Sequence, residues 1–549
     1  MSMPSDTLEI PRGNLAGFKA YSKHDILSGF LVFLIALPLC LGISLASGFP
    51  AIAGIFTAII GGLISFFSNS ELTIKGPAAG MIVIVLGCVT EFGFTGGDDL
   101  TKDFQAYRLA LGVGVAAGIV QIFFGIFRLG ILGEFFPSAA IHGLLASIGI
   151  IIIAKQFPIL MGLHPEGSPL ELIAGMPSYL VNQNPRIGLI GIVSLLIVVF
   201  FNWVKNPKYR VIPAPVIMLF IAVPMGIILE IGHDTVYIFH NQHFQLGEKF
   251  LVNVPYNLFN AFVFPDFSGI ATETGIKYII LFALIGSLES LLSAKAIDAI
   301  DPWRRKSNMD KDMLAVGIGN TMSSFIGGLP MISEIVRSRA NIDNGARTRF
   351  ANFYHGMFLL FSVALVPAVI NHIPLTALAA LLLFTGYRLA SPKEFVHMYH
   401  LGKDQFIVFL ATIIGVLATD LLKGIAIGIG VSIITHIFYG APIRSFFKLN
   451  AQVELSGDHS ATILIRDSAI FSTWIALRKH LFHFFEKGRK VTLDLSETRL
   501  VDHTVMSKIE EWKKEFKEKG LELTVRGLDQ HKAMSHSKVA SHINRTVSC

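Results

Sequence analysis

The chain is poor in charged residues. Asp, Glu, Lys and Arg make up 15% of its 549 residues, whereas soluble proteins average about 25%. Hydrophobic residues make up 52%, and the mean hydropathy is +0.60. The apolar residues recur in runs of about 20, which is the length that spans a bilayer. The composition therefore excludes a large soluble core and predicts a protein built from membrane-spanning helices.

Other absences exclude further classes of function. The three cysteines, Cys40, Cys88 and Cys549, are far apart, so neither a disulfide framework nor a thiolate metal site is expected. The sequence contains no recognisable nucleophile motif, phosphate-binding glycine loop or cofactor loop, so we do not expect an enzyme or a bound cofactor. The net charge of +6 arises from basic residues between the apolar runs and in the tail. We therefore expect no nucleic-acid partner.

The apolar runs number about fourteen, and two of them are too short to span a bilayer. The third run follows Gly76-Pro77 and the tenth follows Pro330. Short segments interrupted by Gly and Pro in equivalent halves indicate a transporter site near the membrane midplane. A repeat with an odd number of spans inserts upside down relative to its partner. We therefore predict an all-α polytopic membrane protein with about 14 transmembrane segments in a 7+7 inverted repeat.

Basic residues predict the orientation of the chain. If the N-terminus is cytoplasmic, residues such as Lys75, Arg304 and Arg347 fall in cytoplasmic connections, and the opposite connections are nearly free of Lys and Arg apart from longer loops. This asymmetry satisfies the positive-inside rule. With an even number of spans, both termini of this multi-pass protein lie in the cytoplasm. The localisation expected is a cell (inner) membrane, with the lipid bilayer as partner.

The texture of the sequence changes at about Pro442, where strand-like and helix-like stretches begin to alternate. A βαβα order in about 100 residues is typical of a small α/β domain. The predicted domains are a cytoplasmic leader (1–22), a transmembrane domain (23–441), an α/β domain (442–530) and a polar, disordered tail (531–549).

The starts of the two short segments are the candidate anion site. The N-terminus of a helix offers unpaired N–H groups and about half an elementary positive charge, so two such ends facing each other would hold an anion. The alternative is an ordinary kinked helix, because Pro is common in any first turn. The candidate substrate-binding residues are Gly76, Pro77, Ala78, Ala79, Gly80, Met331, Ile332 and Ser333.

Glu289 lies in the middle of the eighth apolar run. A carboxylate inside a membrane is costly and is by default a functional hypothesis. Ser293 lies four residues later and therefore on the same helix face. A carboxylate with a hydroxyl suits Na⁺, and a desolvated Glu can instead carry a proton. Structural pairing with a basic residue is the alternative, although the nearby Lys295 lies on a different face.

Glu334 and Arg337 follow the start of the tenth segment. Glu334 is predicted in the first helical turn, where a carboxylate complements the helix dipole. If Glu334 faces the anion, a proton or cation must neutralise it, so it joins Glu289 and Ser293 as a candidate cation-coupling residue. Arg337 would either neutralise Glu334 or bind the anion directly. Arg339 fits better as a cytoplasmic anchor.

The sequence resembles the SulP family of anion transporters over nearly all its length, and its C-terminal domain resembles a STAS domain. The resemblance implies core and gate domains, a homodimer, and an inorganic anion held between the third and tenth helix starts. It also implies coupling of Na⁺ at Glu289 and Ser293, where Glu stands in place of the family's Asp and leaves coupling to H⁺ open. The motifs that carry it are Ala36-Leu37-Pro38, Gly76-Pro77, Ser287 to Ser293, and Arg337-Ser338 with Gly345 to Thr348.

Two positions depart from the family's pattern. Leu39 stands where many sulfate-type members have Gln, which favours bicarbonate over sulfate, and His503 stands at the usual Ser of the STAS signature, next to Thr504. The sequence therefore predicts secondary active transport of a small inorganic anion, bicarbonate or sulfate, across the plasma membrane with Na⁺ or H⁺ coupling. The alternative is an uncoupled anion channel or an exchanger.

Overall fold

The computed structural model describes residues 10–130, 134–204, 212–456 and 459–544. Seven of the described helices are long and apolar enough to cross a membrane, and four shorter apolar helices accompany them. The predicted class, a helical polytopic membrane protein followed by a small α/β domain, is confirmed. Residues 1–9 of the predicted leader lie outside the described part, and the first helix begins inside the leader at Leu15.

Apolar helices dominate the first half of the chain. They are α1 (Leu15–Ala46), α2 (Ile52–Leu63), α3 (Ile82–Glu91), α4 (Leu100–Ile126), α5 (Ser138–Leu160), α6 (Pro169–Ala174), α7 (Met176–Val181), α8 (Pro185–Trp203) and α9 (Ala214–Ile228). Strand β1 (Ile74–Pro77) lies between α2 and α3, and two strands follow α9, β2 (Val236–Phe239) and β3 (Gln242–Gln245). The last two form an antiparallel hairpin.

The second half repeats this arrangement. Its helices are α10 (Glu273–Ile300), α11 (Met309–Phe325), α12 (Ile335–Asp343), α13 (Phe350–Leu365), α14 (Pro367–Ile370), α15 (Leu375–Leu389), α16 (Pro392–Leu401), α17 (Lys403–Ala418) and α18 (Leu421–Phe438). Strand β4 (Met331–Glu334) precedes α12.

The helix packing supports the inverted repeat. Helix α4 of the first half packs on α10 and α11 of the second half, and α13 of the second half packs on α1 and α2 of the first. In an inverted repeat, α1, α2 and α4 correspond to α10, α11 and α13. The contact of α4 with α10 then corresponds to that of α13 with α1, and the contact of α4 with α11 corresponds to that of α13 with α2. Strands β1 and β4 occupy equivalent places and pair antiparallel. The repeat, which the sequence indicates mainly by the position of the short segments, is thus consistent with how the helices pack.

The chain divides into two compact units. One contains Met1–Gly130 and Gly149–Arg388, and the other contains Ile131–Ile148 and Leu389–Cys549. The predicted domain boundary after residue 441 falls inside the second unit and stays a prediction.

The second unit contains the C-terminal α/β domain. Its strands are β5 (Asn450–Ser456), β6 (Ser460–Ala469), β7 (Lys490–Asp494), β8 (Thr498–Val501), β9 (Leu523–Arg526), β10 (Lys532–Ala533) and β11 (His542–Ile543), and its helices are α19 (Trp474–Glu486) and α20 (His503–Glu518). The sheet order is β10-β11-β8-β6-β7-β9, with β5 on β6, and β6 runs parallel to β7 and β8. Buried apolar side chains such as Trp474, Ile463 and Phe516 form its core.

The disordered tail predicted for residues 531–549 is wrong for residues 531–544. Strand β11 pairs antiparallel with β8, and β10 pairs with β11. Ile543 is buried in an apolar cluster with Leu500, so burial and strand pairing order a segment whose polar composition favours disorder. Residues 545–549 lie outside the described part of the chain.

Candidate functional site

The two short segments begin as a pair of crossing strands. Gly76 lies opposite Ile332, and Pro77 lies opposite Met331. We call residues 74–81 the third opening and residues 331–337 the tenth opening. The predicted helix starts are therefore wrong in detail: Pro330 leads into a strand, and helix α12 begins only at Ile335. Pairing between the strands uses backbone groups that a helix would otherwise use.

Both helical starts lack a side-chain cap. The third opening turns through a single 3₁₀ turn, Ala79–Met81, whose N-cap residue is Ala78. In the tenth opening, the N-cap residue of α12 is Glu334, which also makes no capping hydrogen bond. The first N–H groups of a helix have no acceptor within the helix. Two uncapped starts beside one strand crossing therefore present backbone donors suited to an anion.

Glu289 on α10 lies directly against the third opening. A Cβ atom built on Gly80 would overlap the Oε1 atom of Glu289, so this approach requires glycine. The Oε2 atom of Glu289 is buried and has no hydrogen-bond partner among the described residues. An unpaired buried carboxyl of this kind binds a proton or a cation.

Arg337 is fully buried and links the two openings. One guanidinium nitrogen, Nη2, donates to the carbonyl oxygen of Pro77 and lies 3.4 Å from Oε1 of Glu334. The other, Nη1, would be 2.7 Å from a Cβ atom at Gly76. Nε of Arg337 has no hydrogen-bond partner in the described part of the chain. Glu334 is thus the N-cap residue of α12 and an ion-pair partner, rather than part of the first turn.

The serines predicted for the site are buried but differ in their contacts. Ser333 donates its backbone N–H to the hydroxyl oxygen of Ser290 on α10 at 3.1 Å. Ser293 is 4% exposed and lies one turn after Glu289 on the same helix. The described residues contain no group of three or more His, Cys, Asp or Glu side chains arranged for a metal. Glu289 and Ser293 stay the candidate residues for Na⁺.

Sequence reasoning missed a buried ion pair at this site. The positive-inside pattern predicts Lys75 only as part of a cytoplasmic connection. In the structure its Nζ atom lies 2.8 Å from Oδ1 of Asp312, and both side chains are almost fully buried. The signal available in the sequence was the charged residue directly before Gly76. Its partner, Asp312, lies near the start of α11 and has no local signal, because the contact joins distant parts of the chain.

A second missed feature is the polar support of the tenth opening. Asn320 on α11 accepts the N–H of Met331 at 2.5 Å and donates to the Met331 carbonyl at 3.2 Å. The same amide donates to Gln121 on α4 at 2.6 Å. Thr57 on α2 accepts the N–H of Leu329 at 2.7 Å. These helices therefore fix the backbone of the tenth opening from both halves of the repeat.

The charges of the site decide what it can bind. Arg337 pairs with Glu334, and Lys75 pairs with Asp312. Among the described residues of the site, Glu289 has no basic partner, so the site with Glu289 ionised carries a net negative charge. An anion is therefore favoured there only when a proton or a cation accompanies that carboxylate.

The STAS-like signature of the C-terminal domain is buried. Asp502 caps α20 by accepting the N–H of Val505 at 2.7 Å, and burial raises the pKa of this carboxyl to about 7. Thr504 accepts the N–H of Ser138 at 3.2 Å, and the adjacent His503 ring bonds to the Val539 carbonyl. Phosphorylation of Thr504 would require these contacts to open.

The fold and this site define a polytopic membrane anion transporter. Residues 23–412, more than half of the chain, match the model of the sulfate permease family, and the chain belongs to that family.

Two curated relatives and one solved structure illustrate the similarity. YvdB of Bacillus subtilis (strain 168), a candidate sulfate transporter, is 25% identical, with 75% of this chain and 74% of YvdB covered. The bicarbonate transporter BicA of Picosynechococcus sp. is 23% identical, with 74% of this chain and 69% of BicA covered. The structure of SLC26A9 has a TM-score of 0.68 at 14% identity and covers 95% of this chain and 86% of that one. This structural likeness shows the shared fold.

Proposed function

We propose that the protein is a secondary active transporter of a small inorganic anion, bicarbonate or sulfate, coupled to Na⁺ or H⁺. The anion is held by the N–H groups at the starts of the third and tenth openings, with Arg337 as the basic side chain beside them. The membrane is a cell (inner) membrane, both termini face the cytoplasm, and the transporter is a homodimer. Relatives that transport sulfate and bicarbonate support the class of substrate.

The observation that carries the coupling is the position of Glu289. Its carboxyl contacts Gly80 at an uncapped helical start, and its Oε2 atom has no hydrogen-bond partner among the described residues. A carboxylate there opposes the binding of an anion, whereas a protonated or Na⁺-bound carboxyl does not. Cation and anion therefore bind together, and one bundle of helices rocking against another carries both across.

The test is uptake of labelled sulfate and labelled bicarbonate into proteoliposomes with an imposed Na⁺ or pH gradient. We expect one gradient to drive saturable accumulation of the anion above its external concentration. Glu289→Gln removes the titratable, cation-binding oxygen and should abolish the dependence on the gradient. Glu273→Gln, an exposed position on the same helix, is the matched control and should leave uptake unchanged.

Three results would redirect the proposal. Uptake that equilibrates without accumulating, and does not saturate, would identify an uncoupled channel. Uptake that requires an anion on the opposite side would identify an exchanger. Full gradient dependence in Glu289→Gln would remove this residue from the coupling mechanism.

A further inference from the structure

A fully buried ion pair lies beside the strand crossing. The side chains of Lys75 and Asp312 are 1% and 2% exposed, and Nζ and Oδ1 are 2.8 Å apart. Burying one charge alone is very costly, and even a buried pair repays the loss of hydration only when its remaining hydrogen bonds are satisfied. A pair in this position is therefore stable only if neighbouring groups satisfy its remaining hydrogen bonds.

The hydrogen bonds of this pair are satisfied by neighbouring hydroxyls. Nζ of Lys75 also donates to Thr73 at 2.9 Å and to Ser333 at 3.3 Å. Asp312 accepts from Ser68 at 2.9 Å through Oδ1 and from Ser333 at 3.2 Å through Oδ2. The ammonium group thus uses three donors, and both carboxylate oxygens are occupied. Such a network has one low-energy arrangement and holds its members in place.

The hydroxyl shared by both charges belongs to the anion site. Ser333 lies opposite Lys75 in the strand crossing, and Lys75 directly precedes Gly76 of the third opening. Asp312 comes from α11, which lies outside both openings. The pair therefore ties the third opening, the tenth opening and α11 together at one point.

We propose that Lys75 and Asp312 are a positioning pair for the anion site. The pair holds Ser333 in the strand crossing, and the electrostatic effects of its two opposite charges on the bound anion cancel. The first part of this proposal concerns structure alone, and the second rests on the proposed function. Both parts follow from one geometry, because the carboxylate that fixes the hydroxyl also neutralises the ammonium group.

The cancellation has a measurable consequence. Lys75 precedes Ala78 by three residues, which is at most about 10 Å along an extended chain. At an effective dielectric constant of about 20, one uncompensated charge at that distance changes the binding of a monovalent anion roughly tenfold. Removing the lysine should weaken anion binding, and removing the aspartate should strengthen it. A role in folding alone would shift both variants in the same direction.

The experiment compares Lys75→Met, Asp312→Asn and the double variant by anion uptake into proteoliposomes at varied sulfate and bicarbonate concentrations. For bicarbonate, we expect KM to rise about tenfold in Lys75→Met and to fall about tenfold in Asp312→Asn. For sulfate, which is divalent, the shifts should have the same signs and be larger, because the interaction energy doubles. The double variant carries no net change of charge, so its KM should lie within about threefold of the native value for either anion. Shifts of KM in one direction for both single variants, or no shift in either, would overturn the neutralising role.

The matched control is the ion pair of Lys277 with Glu91, which has a 2.7 Å contact but is partly exposed. It also joins α10 to the segment of the third opening, at the end of α3. Solvent screens exposed charges, so Lys277→Met and Glu91→Gln should not produce opposite shifts of KM.

Thermal unfolding of the purified full-length variants tests the pairing separately from transport. Each single variant leaves a buried charge alone and should unfold at a clearly lower temperature. The double variant should recover to within about 5 °C of the native protein. This recovery decides the case if a single variant does not fold, and a double variant no more stable than the worse single one would overturn the pairing. If the native protein transported neither anion, the proposed function would fail while the unfolding comparison still judged the pair.

Discussion

The third and tenth openings share a backbone geometry but differ in their side chains. Each is a strand of four residues followed by an uncapped helical turn, and the two strands pair with each other. The third opening is bare after Pro77, with only Ala, Gly and Met up to residue 81. The tenth opening carries an acid and a base, Glu334 and Arg337, one turn apart.

This difference indicates a division of labour. The third opening leaves room for side chains from other elements, because its glycines let Arg337 approach at Gly76 and Glu289 approach at Gly80. The tenth opening supplies a charged side chain, Arg337, which forms an ion pair with Glu334. An inverted repeat can thus keep a symmetric backbone while the side chains of its two halves differ, and under the proposed function this difference separates the anion from the coupled cation.

The largest loss of transport is expected from a change in the tenth opening, at its charged side chain Arg337. Arg337→Gln leaves Glu334 without its basic partner in a buried site, a loss of about 3–5 kcal/mol for a broken buried pair. It also removes the hydrogen bond to the Pro77 carbonyl. We expect transport of labelled sulfate and bicarbonate, measured as Vmax/KM, to fall at least about a hundredfold.

The control for this variant is Arg339→Gln, an exposed arginine that pairs with Asp343 on the same helix at 3.1 Å. Exposed pairs of this kind contribute little, so transport should remain unchanged. Adding Glu334→Gln to Arg337→Gln should recover part of the lost activity. More than a third of native transport in the Arg337 variant would contradict the division between the two openings.

A smaller loss of transport is expected from a change in the third opening, at Gly80. Gly80→Ala places a methyl group where the Glu289 carboxyl lies, and overpacking of this kind costs about 1–3 kcal/mol. We expect transport to fall roughly tenfold, and dependence on the cation gradient to weaken because the carboxyl must move. Uptake under imposed gradients measures both quantities.

Gly430→Ala on α18 is the matched control, because no atom of the described residues beyond its own stretch of helix lies within 4 Å of the added methyl group. Its uptake and gradient dependence should equal those of the native protein. Native behaviour of Gly80→Ala as well would show that the third opening does not require this close approach.

The smallest effects are expected in the support of each opening. Asn320→Ala leaves the N–H of Met331 without its 2.5 Å acceptor, and an unsatisfied buried donor costs about 1–3 kcal/mol. Asn352 touches the third opening only through a 3.4 Å contact to the N–H of Lys75, and its two 2.9 Å hydrogen bonds go to Gly61 and Ser65 outside that opening. Both variants should lower the unfolding temperature, but we expect Asn320→Ala to lower the transport rate more than Asn352→Ala. The reverse order of the transport rates, measured by uptake, would show that the third opening depends more on its support.

Much of the fold was predictable because its signals are local. Apolar runs of bilayer length predicted the spans, and the strand-like and helix-like stretches after Pro442 predicted the α/β domain that contains β7 (Lys490–Asp494) and α20 (His503–Glu518). The helix predicted to start at Pro330 was wrong, because strand β4 exists only through its partner β1, which precedes it by more than two hundred residues. The disorder predicted for residues 531–544 failed for a similar reason, since β11 depends on β8.

The site divides in the same way. An intramembrane carboxylate such as Glu289 stands out in any apolar run, so the sequence singled it out as a candidate. The structure places it against Gly80, another of the candidate residues. The partner of a charge has no comparable signal. Lys75 lies 237 residues from Asp312, and their positions in the sequence give no reason to pair them.

The sequence by itself determined that the chain crosses a membrane many times, that two of its apolar segments are too short to span a bilayer, and that one long apolar run contains the carboxylate of Glu289. These follow from hydropathy and from the cost of burying charge, which act along the chain. Only the tertiary structure decided that the short segments cross as strands, that Arg337 belongs to Glu334, and that Lys75 belongs to Asp312. Electrostatic balance depends on distance in space, and folding sets that distance by packing helices from both halves of the repeat around one crossing.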